Sequence, residues 1–357
     1  MTRGRVWWPL AALVVLATTA APVRAVQVDP PLEALHAPGT MLVAGTLLDI
    51  NPTGRLVFTR GALLSGKQEP PERIDVRVPK DLLATVKRGD HYIFAYTLYV
   101  RDPYRPDKVA VDRNGATIVS APGLEPALFQ DNRTTREIIN AGRAEVEPHD
   151  STSAEARHET STSDDRTLLQ RLLNALHGKD LALQNLAAHE IALQPDLAAD
   201  LTSRDRKVLE IFVLDPKSLP SARSALLLAA AHDPKRYGAW WSEAAQAIVA
   251  STPIGGYAGP ASDPSGLVLT AFELLELHGV KLQQHAVKRW VTSGSPSLAE
   301  HALLTLRQQA PAEEKPAIEE ALADPALPTA TRTFLVDHLR RLNLLNARLR
   351  QRKGGSR

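Results

Sequence analysis

Cysteine is absent from the 357 residues, so disulfides, thiolate catalysis and Cys-ligated metal sites are excluded. Aromatic residues are scarce, at 5 %. No apolar run approaches the roughly 20 residues that a membrane-spanning helix needs. The eleven histidines never stand three or four apart, so no helix face offers two imidazoles to one metal ion. No serine sits in a G-x-S-x-G elbow or opens an S-x-x-K motif. Net charge is nearly balanced. Without Arg3, Arg5 and Arg24, the 42 basic residues fall to 39 against 40 acidic ones, which predicts no nucleic-acid binding.

One near-motif needs separate treatment. Gly61-x-x-x-x-Gly66-Lys67 has the glycine and lysine spacing of a phosphate-cradling loop. Gln68 then stands where the Mg²⁺-binding hydroxyl should be, Glu69 adds a negative charge, and Pro70-Pro71 opposes a following helix. No nucleotide is expected there. The segment reads as a polar connection between strands.

The first 25 residues carry Arg3 and Arg5 ahead of a short apolar core, Leu10–Ala17, and end in Val23-Arg24-Ala25. That pattern predicts a signal peptide cut after Ala25, and therefore an exported chain, periplasmic or secreted.

Two periodicities follow. Between Met41 and Ser120 the period is two. Ile74, Val76 and Val78 alternate with Arg73, Asp75 and Arg77, and Tyr92, Phe94, Tyr96, Leu98 and Val100 alternate with His91, Ala95, Thr97 and Arg101. Asn51-Pro52-Thr53-Gly54 reads as a turn, and Asn114-Gly115 as a hairpin between KVAVD and ATIVS. Leu82, Leu83 and Val86 recur at helical spacing between the third and fourth strands. Three strands, a short helix and two strands resemble an OB-type barrel, a class that binds oligonucleotides or oligosaccharides. The Tyr92/Phe94/Tyr96 row reads as core. Tyr99 and Tyr104 are the candidates for exposed contacts.

Residues 143–164 are rich in Ser, Thr, Glu and Ala without large apolar side chains, and read as a disordered linker. From Asp165 the period is helical: Leu168, Leu169, Leu172, Leu173 and Leu176 form one stripe. Asp215-Pro216, Asp233-Pro234, Asp263-Pro264, Ser295-Pro296 and Asp324-Pro325 read as helix starts. The junctions DPKSLPSARSALLLAAA (215–231) and DPALPTATRTFLVDHL (324–339) resemble each other, with SPSLAEHALLTL (295–306) as a looser copy. On these copies the half resembles HEAT-like helical repeats. The resemblance implies stacked helical hairpins that present a recognition surface.

The predicted fold class is thus α+β in two domains, a small antiparallel OB-like barrel followed by an all-α helical-hairpin domain. The predicted limits are signal peptide 1–25, barrel 26–142, linker 143–164, helical domain 165–352 and a basic tail 353–357. Within the helical half, Tyr237, Trp241, Ala244 and Ile248 read as one buried face. Arg236 and Trp240 stand at its edge, and Tyr257 lies in the Gly/Pro-rich loop STPIGGYAGPASDPSG (251–266); these three are the candidate contact residues. Glu273 and Glu276 read as exposed charges rather than an acid/base pair, and His278 and His285, seven apart, as no metal pair. Arg348, Arg350, Arg352 and Lys353 offer weak contact with anionic surfaces. The expected protein is a non-catalytic scaffold for a protein or peptide partner, with no cofactor, no metal and no nucleotide. The rival expectations are a cell-envelope hydrolase and a carbohydrate-binding barrel.

Overall fold

In the computed structural model, the described residues are 28–102, 105–111, 115–146, 154–255 and 262–354. A one-turn-plus helix, α1 (Pro31–His36), leads into the barrel strands β1 (Thr40–Asn51), β2 (Arg55–Ser65), β3 (Arg73–Arg77) and β4 (His91–Thr97). A two-stranded ribbon, β5 (Tyr99–Asp102) and β6 (Arg105–Val111), precedes β7 (Ala116–Ile118) and β8 (Leu128–Gln130). The sheet runs β1-β2-β3-β7-β4 and closes by pairing β4 back to β1. All its pairings are antiparallel except β3 with β7. A short 3-10 turn, Lys80–Ala84, fills the predicted helical position between β3 and β4.

The period of two has its expected meaning inside the barrel. Phe58, Ile74, Val76, Tyr92, Phe94 and Tyr96 point inward and are buried together. Phe58 stacks on Phe94 at 4.1 Å between ring centroids and meets Tyr92 edge-on at 6.2 Å. Gly45 lets β1 bend against β2, since a Cβ there would stand 2.6 Å from the Thr59 carbonyl oxygen. Asn51 closes the β1–β2 turn by accepting the Thr53 N–H, and Gly54 follows at φ +93°.

Two strand expectations need correction. Strand β6 pairs with β5, not β7, so Asn114-Gly115 does not join a hairpin of KVAVD and ATIVS. The long strand read through Arg101 breaks at Leu98. Its β1 partner ends at Thr40, opposite Thr97, and beyond that pair the chain turns away to form the ribbon.

The other face of β1 and β4 is also dry. Leu42 and Ala44, Ile93 and Ala95, and Phe129 of β8 lie in one continuous core with Leu32 and Leu35 of α1. That core continues through α2 (Arg133–Val146), α3 (Ala154–Leu176) and α4 (Leu181–Leu193). Helix enters the 143–164 segment from both sides, as α2 ends at Val146 and α3 begins at Ala154.

The chain then continues as α5 (Pro195–Ala199), α6 (Ser203–Leu214), α7 (Pro220–His232), α8 (Pro234–Tyr237) and α9 (Trp241–Ser251). It ends with α10 (Ser265–Leu277), α11 (Gln284–Lys288), α12 (Pro296–Gln309), α13 (Pro311–Ala323) and α14 (Thr329–Gly354). Two layers result. In one, α4, α7, α10, α12 and α14 pack in succession. In the other lie α3, α6, α9, α11 with the 3-10 turn Arg289–Thr292, and α13. Among the described residues this is a stack of five helical hairpins, each burying its apolar stripe on its neighbours.

The two look-alike junctions do the same work. Asp215 and Asp324 each cap the C-terminus of the preceding helix and accept an N–H two residues on, at 2.9 and 2.8 Å. The next helix starts at Pro220 or just after Pro328, not at the Asp-Pro itself. Arg223 and Arg332, each eight residues past its aspartate, donate back to the carbonyls of Val213 and Leu322. Burial lowers the Arg223 pKa to about 10. Asp233 and Ser295 cap helices as predicted, with proline at the first helical turn.

Candidate functional site

The barrel and the stack meet along α1 and β8. The first turn of α1 has no side-chain cap of its own; instead Glu190 of α4, wholly buried, accepts the Leu32 N–H at 2.8 Å. A carboxylate at a helix N-terminus satisfies an orphan donor and faces the positive end of the dipole. The other Glu190 oxygen accepts from Gln194 at 2.8 Å. Gly123, at φ +81°, sits so close that a Cβ would stand 2.7 Å from both Pro31 and His189. Burial lowers the His189 pKa, against its bond to the Asn185 carbonyl and the nearby Glu125 charge.

Beside this junction a groove of about 460 Å³ opens between the two halves. Asp81 of the 3-10 turn and Glu125 of the loop before β8 form its barrel wall. The opposite wall is Asn185 of α4, Pro220, Ser221 and Ser224 of α7, and Asp263 with Thr270 of α10. Leu219 and Leu267 supply apolar patches. Its three charged lining residues are all carboxylates, and all three are exposed.

The hydroxyls form a row that ties successive helices together. Ser221 donates to Asn185 Oδ1 at 2.9 Å, linking α7 to α4. Ser224 donates to Thr270 Oγ1 at 2.9 Å, linking α7 to α10, and Thr270 donates on to the Gly266 carbonyl at 3.0 Å. Each relay ends on an amide or peptide oxygen, neither of which takes up a proton near neutral pH. Activation of a serine nucleophile requires an adjacent base, and the acceptors in these relays do not supply one.

Arg236 and Trp240 lie away from the groove, where α8 meets α9. Arg236, exposed, donates to the Pro195 carbonyl at 3.2 Å and stands 3.4 Å from Asp233. Trp240 is half-buried, and its indole N–H donates to the Tyr237 carbonyl at 2.8 Å. Tyr237, Trp241, Ala244 and Ile248 are buried as read. Burial raises the Tyr237 pKa, and the Asp233 charge adds to the rise. Tyr99 falls in β5 opposite Val111, while Tyr104 and Tyr257 lie outside the described residues. Of the five candidates, the described residues thus place Arg236 and Trp240 at the α8–α9 junction and Tyr99 in the β5–β6 ribbon. Of the Gly/Pro-rich loop, Asp263 and Gly266 reach the groove.

The remaining motifs resolve simply. Gly66-Lys67 is in the β2–β3 connection, with no helix after it; Arg60 holds that loop through Glu69 and the Pro70 carbonyl, both at 2.7 Å. It borders a second hollow of about 530 Å³ with His36, Met41, Leu63 and Leu98. Glu273 and Glu276 are exposed on α10 and reach α12, at 4.0 Å to His301 and 2.8 Å to Gln308. His278 caps α10, its ring 4.6 Å from Trp241. No group of three or more metal-ligating side chains converges among the described residues. Nor is any helix among them long and apolar enough to cross a membrane.

Fold and groove together define an OB-type barrel built onto a stack of helical hairpins, with a polar, acidic cleft where they join. No protein-family model, curated protein or solved structure matches the chain.

Proposed function

We propose that the chain is an exported, non-catalytic scaffold that receives a basic peptide or protein segment in the groove between barrel and stack. The observation that carries this reading is the groove's charge: Asp81, Glu125 and Asp263 approach one cleft from three separate segments, and among the described residues no cationic one lines it. Lys or Arg side chains of an extended segment would find carboxylates on both walls. Their stems would rest on Leu219, Pro220 and Leu267, as long cationic side chains do on apolar surface. The hydroxyl row supports binding rather than covalent chemistry, since its protons are committed to amide, hydroxyl and peptide oxygens of the stack. Arg and Lys of a partner would also account for a polar cleft in a chain whose own charge is balanced.

Titration calorimetry with an extended Lys/Arg-rich peptide tests the reading. Binding is expected, weakening as salt rises, and the combined Asp81→Asn, Glu125→Gln, Asp263→Asn variant should lose about tenfold or more in affinity. Equal affinity for an acidic peptide of the same length, or an unaffected triple variant, would sink the proposal. Export is tested separately: N-terminal sequencing of the protein recovered outside the cytoplasm should start at Val26.

A further inference from the structure

The far end of the stack presents a surface of different character, independent of the groove. On α14, Val336 and Leu344 are 50 % and 55 % exposed. With Leu322 of α13 and with Leu339, Arg340 and Asn343 they wall a hollow of about 420 Å³ between the last two helices. Helix α14 runs 26 residues, about 39 Å at 1.5 Å per residue, against 13 residues for α13. Much of it thus extends past its neighbour.

The net exposed charge on the two sides of this apolar strip is opposite. Helix α13 and the turn after it expose Glu319, Glu320 and Asp324 against a single exposed lysine, Lys315, which pairs with Glu319 at 3.4 Å; Glu319 stands one turn before Leu322 and so on the same face. Helix α14 exposes Arg340, Arg341 and Arg348 against a single carboxylate near them, Asp337. A bilayer rich in anionic lipid would attract the second strip and repel the first, and a foreign acidic helix would meet the same conflict. One occupant satisfies both strips. A second copy, turned by a two-fold axis through the apolar strip, lays each acidic α13 against its partner's basic α14. Such isologous pairing is the commonest form of symmetric assembly.

We infer that the α13–α14 face is a self-association surface on which two copies of this chain pair, α13 against the partner's α14. The apolar strip supplies the contact, and the opposed charges set the register.

Sedimentation equilibrium of the full mature chain, over about 1–100 μM, should show a reversible dimer. Val336→Glu with Leu344→Glu should leave a monomer with an unchanged helical circular-dichroism spectrum. Two charge variants sharpen the test: Arg340→Glu/Arg341→Glu, and Glu319→Lys/Glu320→Lys. Each alone should dimerise at least about tenfold more weakly, because like charges then face each other. Mixed together, they should form a heterodimer. A chain monomeric throughout the range overturns the inference, as does a dimer that survives Val336→Glu/Leu344→Glu. So do charge variants that fail to rescue one another, or a monomer retained by phosphatidylglycerol vesicles.

Discussion

The two ends of the helical stack are finished differently, and each depends on a buried glutamate. At the near end Glu190 is fully buried and accepts from the Leu32 N–H and the Gln194 amide. At the far end Glu314, 3 % exposed, is held in a fork by Arg307, at 2.6 and 3.1 Å, and lies 3.0 Å from His338 Nε2. The first glutamate fastens a whole barrel to the stack through a helix terminus. The second fastens only the last helices, α12, α13 and α14, to one another. The lesson is that a helical stack needs its ends closed, and that closure can be borrowed from another fold or built from a local ion pair.

The largest expected effect is at the near end. Glu190→Ala leaves the Leu32 N–H and the Gln194 amide without their acceptor inside a dry interface, and opens a void. A loss of about 3 kcal/mol is expected, read as a lower urea midpoint at unchanged slope. Glu190→Gln keeps an acceptor at the same place and should recover part of that loss. Equal stability of the alanine variant and the parent would show that the barrel is not fastened through α1.

At the far end the same test has a pH signature. Burial raises the Glu314 pKa, but the bonds from Arg307 and His338 outweigh it, so the carboxyl stays below its ordinary value of 4.5. A carboxylate whose pKa is depressed on folding stabilises the fold above its unfolded value, and that contribution disappears as pH falls through the folded value. Glu314→Gln should therefore cost about 2 kcal/mol at pH 7, with the gap to the parent narrowing below about pH 4.5. A gap that is constant from pH 7 to pH 3 would rule out the ion pair as its source.

These two glutamates also show where sequence reading reaches its limit. The barrel was legible because Phe58, Ile74, Val76 and the Tyr92/Phe94/Tyr96 row alternate with polar residues. The stack was legible in its leucine stripes and in the paired junctions at Asp215 and Asp324. The dry outer wall of the barrel was not, because Ala44 and Ala95 read equally well as solvent-facing or as covered by a helix. Glu190 sits in LALQNLAAHEIAL like any exposed helical charge; what buries it is Leu32, 158 positions earlier. The groove was hidden for the same reason. Asp81, Glu125, Asn185 and Ser221 carry no local signal for a groove, whereas Asp263 and Gly266 lie in the loop that composition marks.

The smallest expected effect separates true closure from mere exposure. Leu35 of α1 and Leu345 of α14 are the same residue type at opposite ends of the chain, 0 % and 53 % exposed. Removing side-chain carbons from a packed site costs both the transfer term and the cavity, whereas an exposed leucine has already left most of its surface in water. Leu35→Ala should lower stability by about 3 kcal/mol, and Leu345→Ala by no more than about 0.5 kcal/mol when measured on the dilute monomer. A large loss at Leu345 would mean that α14 is covered along its length even in a single copy, and the contrast between a sealed end and an open one would fail with it.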